Sequence, residues 1–276
     1  SAFSYADKDS GFYQASIDGR GRPEQRRLEA AHFGRPVKAR DADRVIFTKE
    51  TFRNFPDLYT AGASFSKLDS LSNANPQQSE YRWGNAQLVH WRSADGEPLD
   101  GILYMPDDFD ETKQYPLMVY FYERLSDNLH RHHTPQAGRS SINVSFYVSR
   151  GYLVLLPDVP YEIGYPGESA LHAVVPGVLE LIDNGYVDRK RIGIQGHSWG
   201  GYQIAFMVTR TNLFAAAEAG APVTNMTSAY GGIRWQTGLS RMFQYERTQS
   251  RIGGSLWERP LQYIENSPLF WADKIQ

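Results

Sequence analysis

Between residues 115 and 223 the chain alternates short apolar runs with helical patterning, and this alternation restricts the fold more than any other feature of its 276 residues. "YPLMVYFY" (115–122) and "GYLVLLPDV" (151–159) are apolar on both faces, as strands inside a covered sheet must be. "GESALHAVVPGVLELIDNG" then carries Leu171, Val174, Val175, Val178, Leu181 and Ile182 at helical spacing, with Gly185 near the stop. Pro176 predicts a kink or loosening of that helix. "RIGIQG" reads as a strand, the residues after Ser198 as a helix, and "FAAAEAGAPV" as a further strand. Strand, helix, strand, helix, strand predicts an α/β fold with a parallel sheet covered by helices, in which ligands sit beyond the carboxyl ends of the strands.

The first 75 or so residues are different. "GFYQASIDG", "RPVKARDADRVIFTKE" and "PDLYTAGASF" are short strands between turn signals, a small antiparallel region suited to one blade of a β-propeller or a piece of a sandwich. "LDSLSNANPQQSEY" is polar, carries Pro76, and is the expected linker. "AQLVHWRSADGEPLDGILYMP" predicts a hairpin turning at Asp95-Gly96. The expected division is therefore 1–77, an antiparallel β segment, and 78–276, the α/β domain.

Composition removes several classes of partner. A net charge of −2, from 29 basic and 31 acidic residues without a block of like sign, offers no footprint for nucleic acid or an anionic membrane. No apolar run approaches the roughly 20 residues of a membrane helix. With no cysteine, thiol nucleophiles, disulfides and zinc thiolates are excluded. No phosphate-cradling loop is present, and no cofactor or metal is expected; His130 and His132 in "HRHHTP" lack a third ligand beyond Asp127.

One motif carries chemistry. In "GIQGHSWGG" Ser198 lies between Gly196 and Gly200 where a buried strand meets an apolar helix, so the glycines let the chain turn sharply and leave the serine oxygen exposed. A bare G-x-S-x-G is weak evidence; this strand-to-helix setting makes Ser198 the candidate nucleophile, against a serine that only caps a helix. Attack on a carbonyl also needs donors for the developing oxyanion. The backbone N–H of Trp199 is one, and the loop "FYERLSDNLH" after the earlier strand offers Tyr122, either as a hydroxyl donor or as an aromatic packed at the sheet edge. Glu123 and Arg124 beside it are candidates for contact with a substrate terminus, or for surface pairing. Asp158, ending a buried strand, is expected to anchor backbone amides.

"YPLMVYFYERLSDNLH", "SRGYLVLLPDVPYEIGYPGESA", "DRKRIGIQGHSWGGYQIA", "AGAPVTNMTSAYGGIRW" and "ENSPLFWADKIQ" together resemble the prolyl oligopeptidase family of serine peptidases, especially its dipeptidyl-peptidase and acylaminoacyl-peptidase branches, over roughly residues 80–276. The resemblance implies a C-terminal α/β-hydrolase domain preceded by a β-propeller, of which residues 1–75 would be the last blade. It implies Ser198 as nucleophile, the Trp199 amide and the Tyr122 hydroxyl as oxyanion donors, and Val223 in the pocket that accepts proline, with Trp199 as a second wall. Met226 and Ala229 stand where the family places an aromatic wall, and Glu123-Arg124-Leu125 replaces a glycine-rich turn, so the subsite is expected to be wider or differently selective. A homodimer and an exported, periplasmic or secreted setting, ahead of a cytoplasmic one, are further implications.

In α/β-hydrolases the triad follows the order serine, acid, histidine along the chain. All seven histidines here, His32, His90, His130, His132, His133, His172 and His197, precede Ser198. Asp273 falls too early to be the acid. The expectation is an incomplete α/β-hydrolase, truncated before its catalytic acid and base, that hydrolyses short peptides only with the missing C-terminal segment. A carboxylesterase, or a non-catalytic relative that keeps the turn as architecture, are the alternatives.

Overall fold

The computed structural model describes residues 1–136 and 141–276. The N-terminal part forms two antiparallel sheets where the sequence suggested one small region. β1 (Ala2–Phe3), β2 (Ser10–Gln14) and β3 (Glu24–Glu29) form the first; β4 (His32–Phe33), β5 (Val37–Lys38), β6 (Val45–Glu50), β7 (Asp57–Ala61) and β8 (Leu68–Ser70) form the second. β4 and β5 both pair with β6, and β6, β7 and β8 continue as a meander. Period-two alternation in β6 buries Val45 and Phe47 and exposes Ile46 and Thr48. The two sheets share one core, with Phe12 of β2 stacked on Phe65 at 4.0 Å and packed against Phe33 and Phe47.

The expected linker is tied down rather than free. Its first residues are β8, and Pro76–Glu80 is a turn of 3₁₀ helix. The Asp57 carboxylate accepts from the Ser72 hydroxyl (2.6 Å) and the Ala74 amide (2.7 Å), and Gln78 Nε2 donates to the Arg53 carbonyl (2.6 Å).

β9 (Asn85–Arg92) and β10 (Pro98–Met105) form the predicted hairpin, with Gly96 at φ +85° in its turn. With β11 (Tyr115–Tyr120), β12 (Leu153–Pro157), β13 (Val187–His197) and β14 (Ala216–Gly220) they build a six-stranded sheet in the order β14-β13-β11-β12-β10-β9. The four strands β11 to β14 run parallel to one another, whereas β10 is antiparallel to β12. Leu103, Leu155, Val119 and Ile194 lie side by side across it. They pack with Ala170, Val174, Val178 and Leu181 of α2 (Pro166–Asp183) and with Ile204 and Met207 of α3 (Trp199–Met207). The opposite face, including Ile102, Tyr104, Val154 and Leu156, is covered by Val144 and Val148 of α1 (Val144–Val148). Burial on both faces is why these strands read as unbroken apolar runs.

Pro176 neither ends nor divides α2, which continues for 18 residues. A proline frees the carbonyl four residues earlier. That carbonyl belongs to His172, and it accepts from the Ala94 amide at 2.9 Å, while the Trp91 indole donates to the next carbonyl, Ala173, at 2.8 Å. The β9–β10 hairpin thus supplies the donors that the interrupted helix lacks.

Candidate active site

β13 delivers Ser198 to the carboxyl edge of the sheet and α3 starts at the next residue. Ser198 has φ 58° and ψ −107°, outside the wells open to residues with a side chain. Its amide donates to the Gly220 carbonyl (2.7 Å) and its carbonyl accepts from the Tyr202 amide (2.9 Å), so the strained backbone is held from both sides. The side chain makes no capping bond to the helix, which removes the helix-cap reading. The flanking glycines are required sterically. A Cβ on Gly196 would lie 2.8 Å from the Gly200 carbonyl carbon, one on Gly200 2.4 Å from the Phe121 oxygen, and one on Gly201 2.5 Å from the Gly220 oxygen. Each obstacle is backbone and cannot swing aside.

Trp199 is the first residue of α3, so its amide is among the donors that a helix's first turn leaves without an intrahelical acceptor. Its indole is buried rather than an open wall: it stacks on Tyr202 at 4.6 Å and donates to the Tyr161 hydroxyl at 2.9 Å. Tyr161 in turn donates to the Tyr122 carbonyl (2.8 Å), which also accepts from Gln203 Nε2 (2.9 Å). Burial pushes the Tyr161 phenol far above its ordinary pKa, so it stays a donor. The backbone of Tyr122 is therefore clamped against the start of α3, and its own hydroxyl accepts from Gln249 Nε2 at 2.8 Å.

The loop after β11 is fixed from below by Asp158. Its carboxylate accepts from the Leu125 amide (2.7 Å), the Ser126 amide (2.8 Å) and the Ser126 hydroxyl (2.5 Å), the anchoring role expected from sequence. Glu123 and Arg124 both have partners within the protein. Glu123 takes both guanidinium nitrogens of Arg251 at 3.2 Å, and Arg251 also lies 4.7 Å from the Tyr161 ring. Arg124 bonds Asp127 at 3.1 Å and lies over Tyr5.

Val223 and Ala229 are half-buried against the aromatic cluster of Trp199, Tyr202, Tyr230, Tyr245 and Tyr263, whereas Met226 is wholly inside it, its amide donating to Ser267 Oγ at 2.8 Å. Asn225 caps α4 (Met226–Tyr230), accepting from the Thr227 and Ser228 amides.

Six of the seven histidines are engaged away from Ser198. His32 faces Glu50, His90 bonds Asp100, His130 bonds Asp9, His132 the Phe52 carbonyl, His133 the Tyr104 hydroxyl and His172 Asp95. Among the described residues no group of three or more His, Asp or Glu is placed to hold a metal ion.

Four residues of this network escape a sequence reading: Tyr161, Gln203, Gln249 and Arg251. Gln203 leaves a trace, a polar residue one turn into an apolar helix from Trp199. Tyr161 follows a sheet strand at the same carboxyl edge. Gln249 and Arg251 lie in a loop more than 120 positions from their partners and leave none.

Residues 163–266, which include the serine turn, match the model described as the prolyl oligopeptidase family. That stretch is similar to the family. Its relatives are distant: the uncharacterized peptidase YuxL of Bacillus subtilis is 24% identical over 276 residues, 93% of this chain and 40% of its own length. Human dipeptidyl peptidase 8 is 28% identical over 155 residues, 50% of this chain and 17% of its own. The chain thus spans less than half the length of either relative. The crystal structure of Porphyromonas gingivalis dipeptidyl peptidase 4 superposes with a TM-score of 0.67 at 20% identity, over 96% of this chain and 37% of that one. The chain therefore shares the fold of the part of that structure it covers.

Proposed function

We propose that this chain carries the nucleophile half of a serine peptidase acting on short peptides. The observation that carries the reading is the backbone of Ser198, held at φ 58° and ψ −107° at a strand-to-helix join by three glycines whose Cβ positions are filled by main chain. In the proposed step Ser198 Oγ bonds to the scissile carbonyl carbon as a base takes its proton. The Trp199 amide and the Tyr122 hydroxyl hold the negative oxygen, and the C–N bond breaks as the base returns the proton to the leaving amine, leaving an acyl-enzyme for water to hydrolyse. Val223 forms one side of the subsite, with Met226 setting its depth from behind.

The base and its acid come, in this reading, from polypeptide outside these residues. Six of the seven histidines have partners elsewhere. The outer edge of β14 has no strand partner among the described residues, and a groove of about 1080 Å³ runs along it, lined by Ile204, Val208, Ala217, Pro268 and Leu269. Further strands docking there would complete the sheet and bring the triad to Ser198. The five-stranded sheet that ends in the β6-β7-β8 meander is in the same way read as part of a propeller; it favours a peptidase over a carboxylesterase.

A fluorophosphonate probe tests this. A longer chain that includes the following strands labels rapidly at Ser198 and loses the label in Ser198→Ala, while residues 1–276 alone label slowly, the loss of a triad histidine costing on the order of 10⁶-fold. Rapid labelling of the short chain would place the base within it, and absence of labelling in the long chain would favour a non-catalytic relative.

A further inference from the structure

The Tyr122 hydroxyl terminates a chain of hydrogen bonds whose direction is fixed from its far end. Arg234 Nη2 donates to Gln244 Oε1 (2.8 Å), Gln244 Nε2 donates to Gln249 Oε1 (2.8 Å), and Gln249 Nε2 donates to Tyr122 Oη (2.8 Å). A guanidinium has five N–H groups and no acceptor, so Gln244 must turn its oxygen toward Arg234 and its amide nitrogen toward Gln249. Gln249 must then present its oxygen to Gln244 and its nitrogen to Tyr122. Reversing either amide would set two donors face to face. Tyr122 Oη therefore accepts from the protein, its proton has no acceptor among the described residues, and the hydroxyl is left to donate elsewhere.

We propose that Arg234, Gln244 and Gln249 are positioning residues that hold Tyr122 as a donor toward the oxyanion and strengthen it. The proposal rests on the reading of Tyr122 as an oxyanion donor. Each bond in a chain of this polarity draws electron density toward the cation at its end, and such chains strengthen cooperatively. A phenol that accepts one hydrogen bond becomes a better donor of its own proton, which favours an oxygen carrying full negative charge over a neutral carbonyl. The relay should thus act on the transition state rather than on substrate binding. Its parts are rigidly borne: Arg234 sits in a turn closed by the Ile233–Ser240 bridge, Gln244 on α5 (Met242–Glu246), and Gln249 in a strap whose Arg251 grips Glu123, the residue after Tyr122.

The experiment is steady-state kinetics on the whole protein that contains this chain, with a chromogenic peptide substrate and thermal melts as a folding control. Tyr122→Phe should lower kcat by about 10²-fold or more, the usual cost of one oxyanion donor. Gln249→Glu has nearly the same shape, but its carboxylate accepts the phenol proton, so kcat should fall as far as in Tyr122→Phe with KM unchanged. Gln249→Leu should lose about tenfold, and Tyr122→Phe/Gln249→Leu should lose no more than Tyr122→Phe alone. Arg234→Lys, which still donates, should retain kcat where Arg234→Met loses a few-fold. Wild-type kcat in Gln249→Glu, or a double variant whose loss is the product of the singles, would overturn the relay while leaving the oxyanion reading intact. Wild-type kcat in Tyr122→Phe would remove both. Should Gln249→Glu fail to fold, the Arg234 pair decides, equal activity of Lys and Met counting against the relay.

Discussion

Replacing Ser198 by glycine should make the protein more stable than replacing it by alanine. Both variants lose the hydroxyl, so its contribution cancels in the comparison. At φ 58° and ψ −107° an L-residue is strained, and residues in such sparsely populated regions cost about 1–3 kcal/mol. The mirror image of this conformation, φ −58° and ψ 107°, is ordinary extended backbone, and achiral glycine has equal access to both. Ser198→Gly therefore relieves the strain and Ser198→Ala keeps it. Glycine also gives back roughly 0.5–1 kcal/mol through the greater freedom of its unfolded chain. The difference leaves Ser198→Gly ahead by about 1 kcal/mol. With a urea m-value of about 2–3 kcal/mol/M, its unfolding midpoint should lie roughly 0.3–0.5 M above that of Ser198→Ala. A glycine variant less stable than the alanine variant would mean that the elbow is relaxed and that the hydrogen bonds to Gly220 and Tyr202 are not holding it against strain.

The other predictions concern the elbow's surroundings and acid stability. Gly200→Ala drives a Cβ to 2.4 Å from the Phe121 carbonyl oxygen, and should cost about 3 kcal/mol in urea unfolding and abolish probe labelling in the long chain; a variant that keeps both would show that α3 can move away from β11. Burial lowers His133 and His32 to pKa about 4. Because these folded-state values lie below the unfolded value of about 6.5, the unfolded chain binds the extra protons, so stability is complete above about pH 6.5 and declines as pH falls toward 4. Urea midpoints measured between pH 7.5 and 4.5 should fall, and the decline should be shallower in a His32→Gln/His133→Gln variant; parallel slopes would show that neither histidine is held neutral by the fold.

What was legible in the sequence was whatever neighbouring residues decide. The turn at Ser198 needs only Gly196, Gly200 and Gly201 beside it, and the hairpin at Gly96 only its own dipeptide, so both are visible in a few letters. Pro176 shows the limit: its local rule says which carbonyl is freed, that of His172, but not that Ala94 takes it from another element of the fold. The same limit governs the site. Trp199 and Tyr122 could be placed from their positions at strand ends, but their roles depend on what their polar groups meet, and those partners are Tyr161, Gln203 and Gln249. A hydroxyl at the edge of a sheet can donate or accept. The sign of its contribution to an oxyanion is settled only by the residue that takes its lone pair, here an amide whose own orientation is set two bonds away by Arg234. In the proposed relay the strap after α5, which no motif marks, joins the glycine-flanked serine in the chemistry. Substitutions between residues 234 and 251 should accordingly change kcat without any contact to substrate.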